Sequence, residues 1–283
     1  MKTFLTTLLL LSALAMRAGT VTPQYTKNDS ARVVSLIAQA ASQPEGTNLM
    51  VYVARQFLDL PYVAKTLENN DRERLVVNLR QLDCTTYVEN VLAIVRCVKQ
   101  GKTSFSDFCR CLQEIRYMDG DVSYAHRLHY FSLWIEENTK MKFVEEIRRP
   151  SPPFTAVQTL RINYMTTHAD SYPMLVRDPE QTKEIAKMEQ SINGRTYRFI
   201  PKETIANTAL FRRTIHDGDI IAIVTRKSGL DTSHIGIAVW HEDGLHLLNA
   251  SLVHKKVVEE RRTLHDYMMR NRSQIGIRVV RVK

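Results

Sequence analysis

The stretch L-D-C-T-T-Y-V-E-N-V-L-A-I-V-R-C-V, Leu82–Val98, decides the fold. Its apolar side chains fall at positions 84, 87, 88, 91, 92, 95 and 98, the 3.6-residue spacing of a helix with one face in the core. Asp83 stands immediately before the stripe, where a carboxylate can accept the first free backbone N–H groups. The reading is a long core helix capped by Asp83, with Cys84 in its first turn. Asp83 can equally meet a polar group of a substrate there.

Upstream, Ala31–Ala41 and Leu49–Leu58 also show helical spacing, the second run closing in F-L-D-L-P-Y at Pro61. Downstream, Phe105, Phe108, Leu112 and Ile115 mark a further amphipathic helix. Tyr117–Trp134 is dense in aromatic, His and Arg residues and has no clean period. Arg149–Pro153, with three of the nine prolines, predicts an extended connector. Pro179–Asn193 predicts a helix with Asp178 as cap and Gly194 beyond its end. The last third turns to strand pattern at Ile220–Thr225, His234–Trp240, Leu245–Ala250 and Ile275–Val282, with Asp243–Gly244 as a hairpin signal. Helices first and strands later predict an α+β fold. The expected layout is one domain, with a helical half over about 30–148, the connector 149–153 and a mixed, then β half over 154–283.

The chain has 283 residues, 44% hydrophobic and 24% charged, enough apolar material for a sizeable core. With 10 Gly and 9 Pro, collagen-like and low-complexity classes are excluded. No repeat of solenoid length is visible. The apolar run Phe4–Met16, preceded by Lys2 and followed by small residues, predicts a secretory signal, Met1–Ala18. The run is short for an uncleaved anchor. Residues 19–283 would then act outside the cytoplasm, periplasmic or secreted, with no membrane insertion after signal removal and as a monomer. Net charge is +9, of which Lys2 and Arg17 lie in the signal. That surplus suits anionic polymers or carboxylate-rich substrates, or merely a solvated surface. No Lys/Arg block is long enough for a nucleic-acid arm. The cysteines are Cys84, Cys97, Cys109 and Cys111, too few for a disulfide scaffold. One bridge among the last three, or three small buried hydrophobes, fits their spacing equally.

A thiol attacks as the thiolate, and a helix N-terminus supplies partial positive charge and free N–H groups to lower its pKa. A nearby imidazole completes activation as a thiolate–imidazolium pair. Of nine histidines, His234 is best placed: it follows D-T-S and opens the strand I-G-I-A-V-W. Antiparallel pairing across Asp243–Gly244 brings Asn249, on L-H-L-L-N-A-S, near His234. Its amide oxygen can hold the imidazole tautomer. Spacing alone leaves open whether Cys84 is a nucleophile or a buried hydrophobe, and whether His234 is a base or structural. His126 and His129 near Asp119 and Asp121 lack metal-ligand spacing, and no G-x-S-x-G is present. No metal or cofactor is expected.

L-D-C-T-T-Y-V-E-N resembles the nucleophile segment of papain-like, NlpC-type cell-wall cysteine hydrolases, and D-G-D-I-I…S-H-I-G-I-A-V-W…G-L-H-L-L-N-A-S resembles their second half. Within that superfamily the chain is most similar to the N-acetylmuramoyl-L-alanine amidase-like family. P-Y-V-A-K-T-L-E (61–68), R-L-H-Y-F-S-L-W-I (127–135) and H-A-D-S-Y (168–172) carry the likeness further. The resemblance implies a papain-like α+β fold, with N-terminal helices on a C-terminal antiparallel sheet or barrel. It implies Cys84 as nucleophile, His234 as base and Asn249 as orienting residue, where many relatives have His. The implied substrate is peptidoglycan or a released muropeptide, cut between the lactyl group of N-acetylmuramic acid and L-alanine. General NlpC-type enzymes cut between D-glutamate and a diamino acid, and a catalytically dead wall-binding module is a further alternative. Substrate-binding candidates are Tyr62, Asp83, Arg127, His129, Tyr130, His168, Tyr172 and Ser233. Arg127 suits a carboxylate, and the aromatics suit sugar faces. Each of these also has a structural reading, as cap, core or loop staple.

Overall fold

The capping side chain that position 83 calls for is in place. Asp83 accepts the Thr86 N–H at 2.8 Å, and Thr86 Oγ1 accepts the Asp83 N–H at 3.0 Å, a reciprocal cap that starts α3 (Cys84–Lys99) at Cys84. A cap of this kind stabilises a helix by about 1 kcal/mol. The computed structural model describes residues 22–283, and the expected signal Met1–Ala18 lies outside them. Helix α3 is buried from Thr86 to Cys97. It packs against α1 (Lys27–Ala41), α2 (Leu49–Arg55) and α4 (Phe105–Arg116). Helix α2 stops at Arg55, short of the expected Leu58, and α5 (Phe131–Lys140), which no periodicity predicted, begins at the end of the aperiodic stretch.

The strands form one eight-stranded, wholly antiparallel sheet. β1 (Val144–Ile147) and β2 (Ala156–Thr159) come first. The helices α6 (Tyr164–Thr167), α7 (Pro173–Arg177) and α8 (Pro179–Ile192) then precede β3 (Thr196–Pro201). After α9 (Ala209–Thr214) come β4 (Ile220–Thr225), β5 (Thr232–Trp240), β6 (Leu245–Ser251) and β7 (Lys256–Glu259). Helix α10 (Leu264–Met269) leads into β8 (Gln274–Val282). The order is β2-β3-β8-β4-β5-β6-β7, with β1 pairing the far half of β8. The architecture is therefore α+β. Apolar side chains of β4, β5 and β6 alternate between two cores. Ile220, Ala222, Ile237 and Leu248 join the helical side, and Ile221, Ile223, Ala238 and Leu247 join the side of α9 and α10.

The proline-rich connector is a correction. It does not run extended: residues 151–154 fold back, with the Phe154 N–H donating to the Ser151 carbonyl at 3.0 Å. Phe154 is thereby buried in the second core. The strand before the connector and those after it share one sheet through β8. Among the described residues no helix is long and apolar enough to cross a membrane.

Candidate active site

Two elements carry the central residues to one place. Helix α3 puts Cys84 at its first position, and β5 arrives with His234. On the β4–β5 ladder His234 pairs with Ile223 but Thr232 pairs with Val224, so Ser233 is an extra, bulged residue. A bulge twists a strand and re-aims the next side chain, and bulges concentrate beside functional sites. Ser233 itself is exposed. The loop before it is pinned by buried Asp231, which accepts the Ser132 N–H of α5 at 2.6 Å and the Thr232 N–H at 2.7 Å. The β5–β6 register pairs Ile237 with Leu248, which sets Asn249 diagonally across from His234. The imidazole Nε2–H donates to Asn249 Oδ1 at 2.8 Å, leaving Nδ1 open. Gly236 is required between them: a Cβ there would meet Leu247 Cδ1 at 2.7 Å and the Leu248 carbonyl at 2.9 Å.

The backbone of Ile235, the residue after His234, and the side chain and backbone of Thr85 lie close enough to the Cys84 sulfur to favour its thiolate. The segment Asp59–Tyr62 is laced against β7, through Asp59 N–H to Val257 O (3.0 Å) and Val257 N–H to Leu60 O (2.8 Å). Val63 N–H then reaches Leu82 O at 3.0 Å, which brings Tyr62 beside Cys84 and Asp83. Burial, with those two neighbours adding, pushes the Tyr62 phenol up to about 12. It stays a neutral hydroxyl.

The electrostatics differ from the expected ion pair. Burial first, and the Asp83 carboxylate second, push the Cys84 thiol up to about 12, against the influence of Ile235 and Thr85. Burial also lowers His234, opposed by its bond to Asn249 and by the charges of Glu260 and Asp83. Both directions favour a neutral thiol beside a neutral imidazole at rest.

The remaining candidates sit in other company. Arg127 is 5% exposed, its guanidinium ion-paired with Glu68 and 3.5 Å from Glu73, and it lies over the Tyr124 ring. Tyr117 completes this cluster with a 2.6 Å bond to Glu73. The expected open guanidinium is thus already paired. His129 Nε2 donates to the Tyr124 carbonyl at 2.7 Å, and burial drives its pKa well down. Buried Tyr130 donates to Glu189 of α8 at 2.7 Å and accepts the Met165 N–H at 3.0 Å, a staple between helices. His168 is exposed and stacks on Tyr164 at 4.1 Å. Tyr172 is half-buried near Tyr164, Glu68 and Glu189. Asp83 serves as the cap, with one carboxylate oxygen taken. Trp134 is fully buried. Cys97 and Cys111 are buried free thiols 3.7 Å apart, and Cys109 is a third.

Two residues near the site escaped the sequence. Glu260 lies 3.3 Å from Asn249, and Tyr267 of α10, whose pKa burial raises, lies near Glu260 and Cys84. Glu260 sits in E-E-R-R, which reads as a solvated charge run, and only its neighbour Val257, buried in the core, hinted at a strand. Among the described residues no group of three His, Cys, Asp or Glu is placed to hold a metal ion.

Known proteins share this arrangement of elements. Residues 52–277 match the N-acetylmuramoyl-L-alanine amidase-like family. A crystal structure of an N-acetylmuramoyl-L-alanine amidase from Bacteroides uniformis is 37% identical, with 87% of this chain and 99% of that one covered and a TM-score of 0.77. A Bacteroides fragilis protein provisionally described as a xylanase is 39% identical over 81% of this chain and 98% of its own, with a TM-score of 0.75. The Legionella pneumophila protein LPG0564, 22% identical over 90% and 94% with a TM-score of 0.67, shares the fold. No curated protein matches. The match across most of the chain and the 37% identity to a nearly fully covered relative make this chain a member of the N-acetylmuramoyl-L-alanine amidase-like family.

Proposed function

We propose that the protein is an exported cysteine amidase of papain-like, NlpC-type fold. It hydrolyses the amide between N-acetylmuramic acid and L-alanine in peptidoglycan or released muropeptides. The observation that carries this reading is Cys84 in the first turn of α3 beside the backbone of Ile235, with the preceding residue, His234, held through Nε2 by Asn249. His234 Nδ1 takes the thiol proton as sulfur attacks the lactyl carbonyl. The Cys84 N–H, first in its helix and without an intrahelical acceptor, faces the developing oxyanion. The imidazolium then protonates the leaving alanine amine, and water, activated by the same imidazole, releases the acyl group from sulfur. The resting neutral pair makes His234 a general base rather than half of a standing ion pair. Family membership and the amidase name of the Bacteroides uniformis relative support the bond. The sequence Met1–Ala18 supports export.

A glycosidase needs two carboxyl groups free to act as acid and as base or nucleophile. The carboxylates near Cys84 and His234 are Asp83, which caps the helix beside Cys84, and Glu260, which is bonded to Asn249 and His254. Mass spectrometry of a disaccharide–tetrapeptide muropeptide incubated with wild type and Cys84→Ala tests the reading. Free disaccharide and intact tetrapeptide, from wild type alone, are expected. A disaccharide–dipeptide would move the assignment to D-glutamyl–diamino acid cleavage. No product from a folded wild type would leave a wall-binding module.

A further inference from the structure

The proposed base rests on Asn249, and Asn249 rests on a buried carboxylate. Glu260 follows directly after β7 and is 5% exposed. Its Oε1 accepts from Asn249 Nδ2 at 3.3 Å, and its Oε2 accepts from His254 Nε2 at 3.2 Å. Its backbone is fixed as well, since its N–H donates to the Leu247 carbonyl at 2.9 Å and its carbonyl accepts from His246 Nδ1 at 2.8 Å. The second hydrogen of Asn249 Nδ2 goes to the Leu247 carbonyl at 3.3 Å. Asn249 has no exposed surface, so these are its partners.

An amide can turn over by exchanging its oxygen and nitrogen, and only its partners decide which way it sits. An ionised carboxylate and a backbone carbonyl accept and never donate. Together they claim both hydrogens of Nδ2, which turns Oδ1 toward His234. An oxygen facing Nε2 requires the proton on Nε2 and leaves Nδ1 bare. We infer that Glu260 is a positioning residue: it fixes the orientation of the Asn249 amide and, through it, the tautomer in which His234 offers Nδ1 to the thiol. This rests on the reading of Cys84 and His234 given above. Its negative charge also favours the imidazolium that forms in the reaction.

Four variants test it on the muropeptide substrate, with melting curves for each. Glu260→Met removes the acceptor at similar volume. It should lower kcat about tenfold or more with KM within about twofold, because substrate binding is untouched. Glu260→Gln can still accept through its oxygen and should lose less. Asn249→Asp sets a second carboxylate against Glu260 and should fall by about 100-fold or more. Adding Glu260→Gln to Asn249→Asp replaces that repulsion with a donor and should recover at least about tenfold of the loss. A merely structural Glu260 would not give this reversal. A Glu260→Met enzyme with wild-type kcat would overturn the inference. If Glu260→Met does not fold, a double variant no better than Asn249→Asp alone would overturn it. Cys84→Ala, run in parallel, separates the outcomes. Activity retained there defeats the cysteine mechanism, whereas activity lost there but kept in Glu260→Met defeats only the role of Glu260.

Discussion

Cys84 with His234, and Arg127 with its neighbours, are two collections of reactive side chains built on opposite plans. Around Arg127 every strong charge already has an opposite: Glu68 and Glu73 flank the guanidinium, and Tyr117 donates to Glu73. Nearby, Arg116 pairs with Glu89 at 2.6 Å and donates to the Val76 carbonyl at 2.8 Å. Around Cys84 the partners stop short. Cys84 is half-buried, and the imidazole uses one nitrogen on Asn249 and keeps the other free. The difference teaches that residue types identify chemistry only together with an unfilled valence. Arg127 suited a substrate carboxylate by type, but two carboxylates of its own chain reach it first.

The comparison breaks most sharply on Cys84→Ala, which should lower the rate by at least about 10³-fold while the melting temperature stays within a few degrees. Arg127→Met should do the reverse. It strands Glu68 and Glu73 without their cation, at a cost of about 3–5 kcal/mol in denaturant unfolding, while the rate per folded molecule holds. Equal loss of rate and stability in both variants would erase the distinction. The pH profile of kcat/KM sharpens it. Burial lowers His234 from its ordinary 6.5 and raises the Cys84 thiol to about 12. The acid limb should therefore fall below the usual histidine range, and activity should stay level past about pH 8.5, where an ordinary cysteine ionises. An alkaline limb near neutrality would point to a standing thiolate–imidazolium pair. The smallest effect is on labelling. Asp83→Asn keeps the cap but removes the charge beside sulfur, and should speed alkylation of Cys84 by about threefold. In the same native sample Cys97, Cys109 and Cys111, all buried, should stay unlabelled.

What the sequence made legible follows the same division. Helix α3 was readable from its apolar stripe, and strands β4, β5 and β6 from apolar runs bounded by turn residues, buried on both faces of the sheet; Ile220–Thr225 appears at its expected bounds. The His234–Asn249 contact followed from the hairpin alone. β1 (V-E-E-I) and β2 (A-V-Q-T) were not readable, being four residues each with polar side chains. Their place comes from β8 and β3, which accept them as partners. Glu260 was hidden because E-E-R-R has the composition of a solvated face. Only the fold reveals that one carboxylate of the four charges turns inward. The thiol's raised pKa was hidden likewise, since desolvation depends on what packs around a helix end rather than on the end itself.

The last strand in the chain occupies a central place in the sheet. β8 lies between β4 on one edge and β3 and β1 on the other. Val144 of β1 meets Val282 of β8, a separation of most of half the chain. While residues 274–282 are still being made, β3, β1 and β4 have open edges with no partner between them, and the sheet cannot close. Contacts so distant in sequence slow folding and make it wait for residues 274–282. A sheet wired in this way is held together by β8, and without residues 274–282 the strands β1, β3 and β4 would be left with unpaired edges.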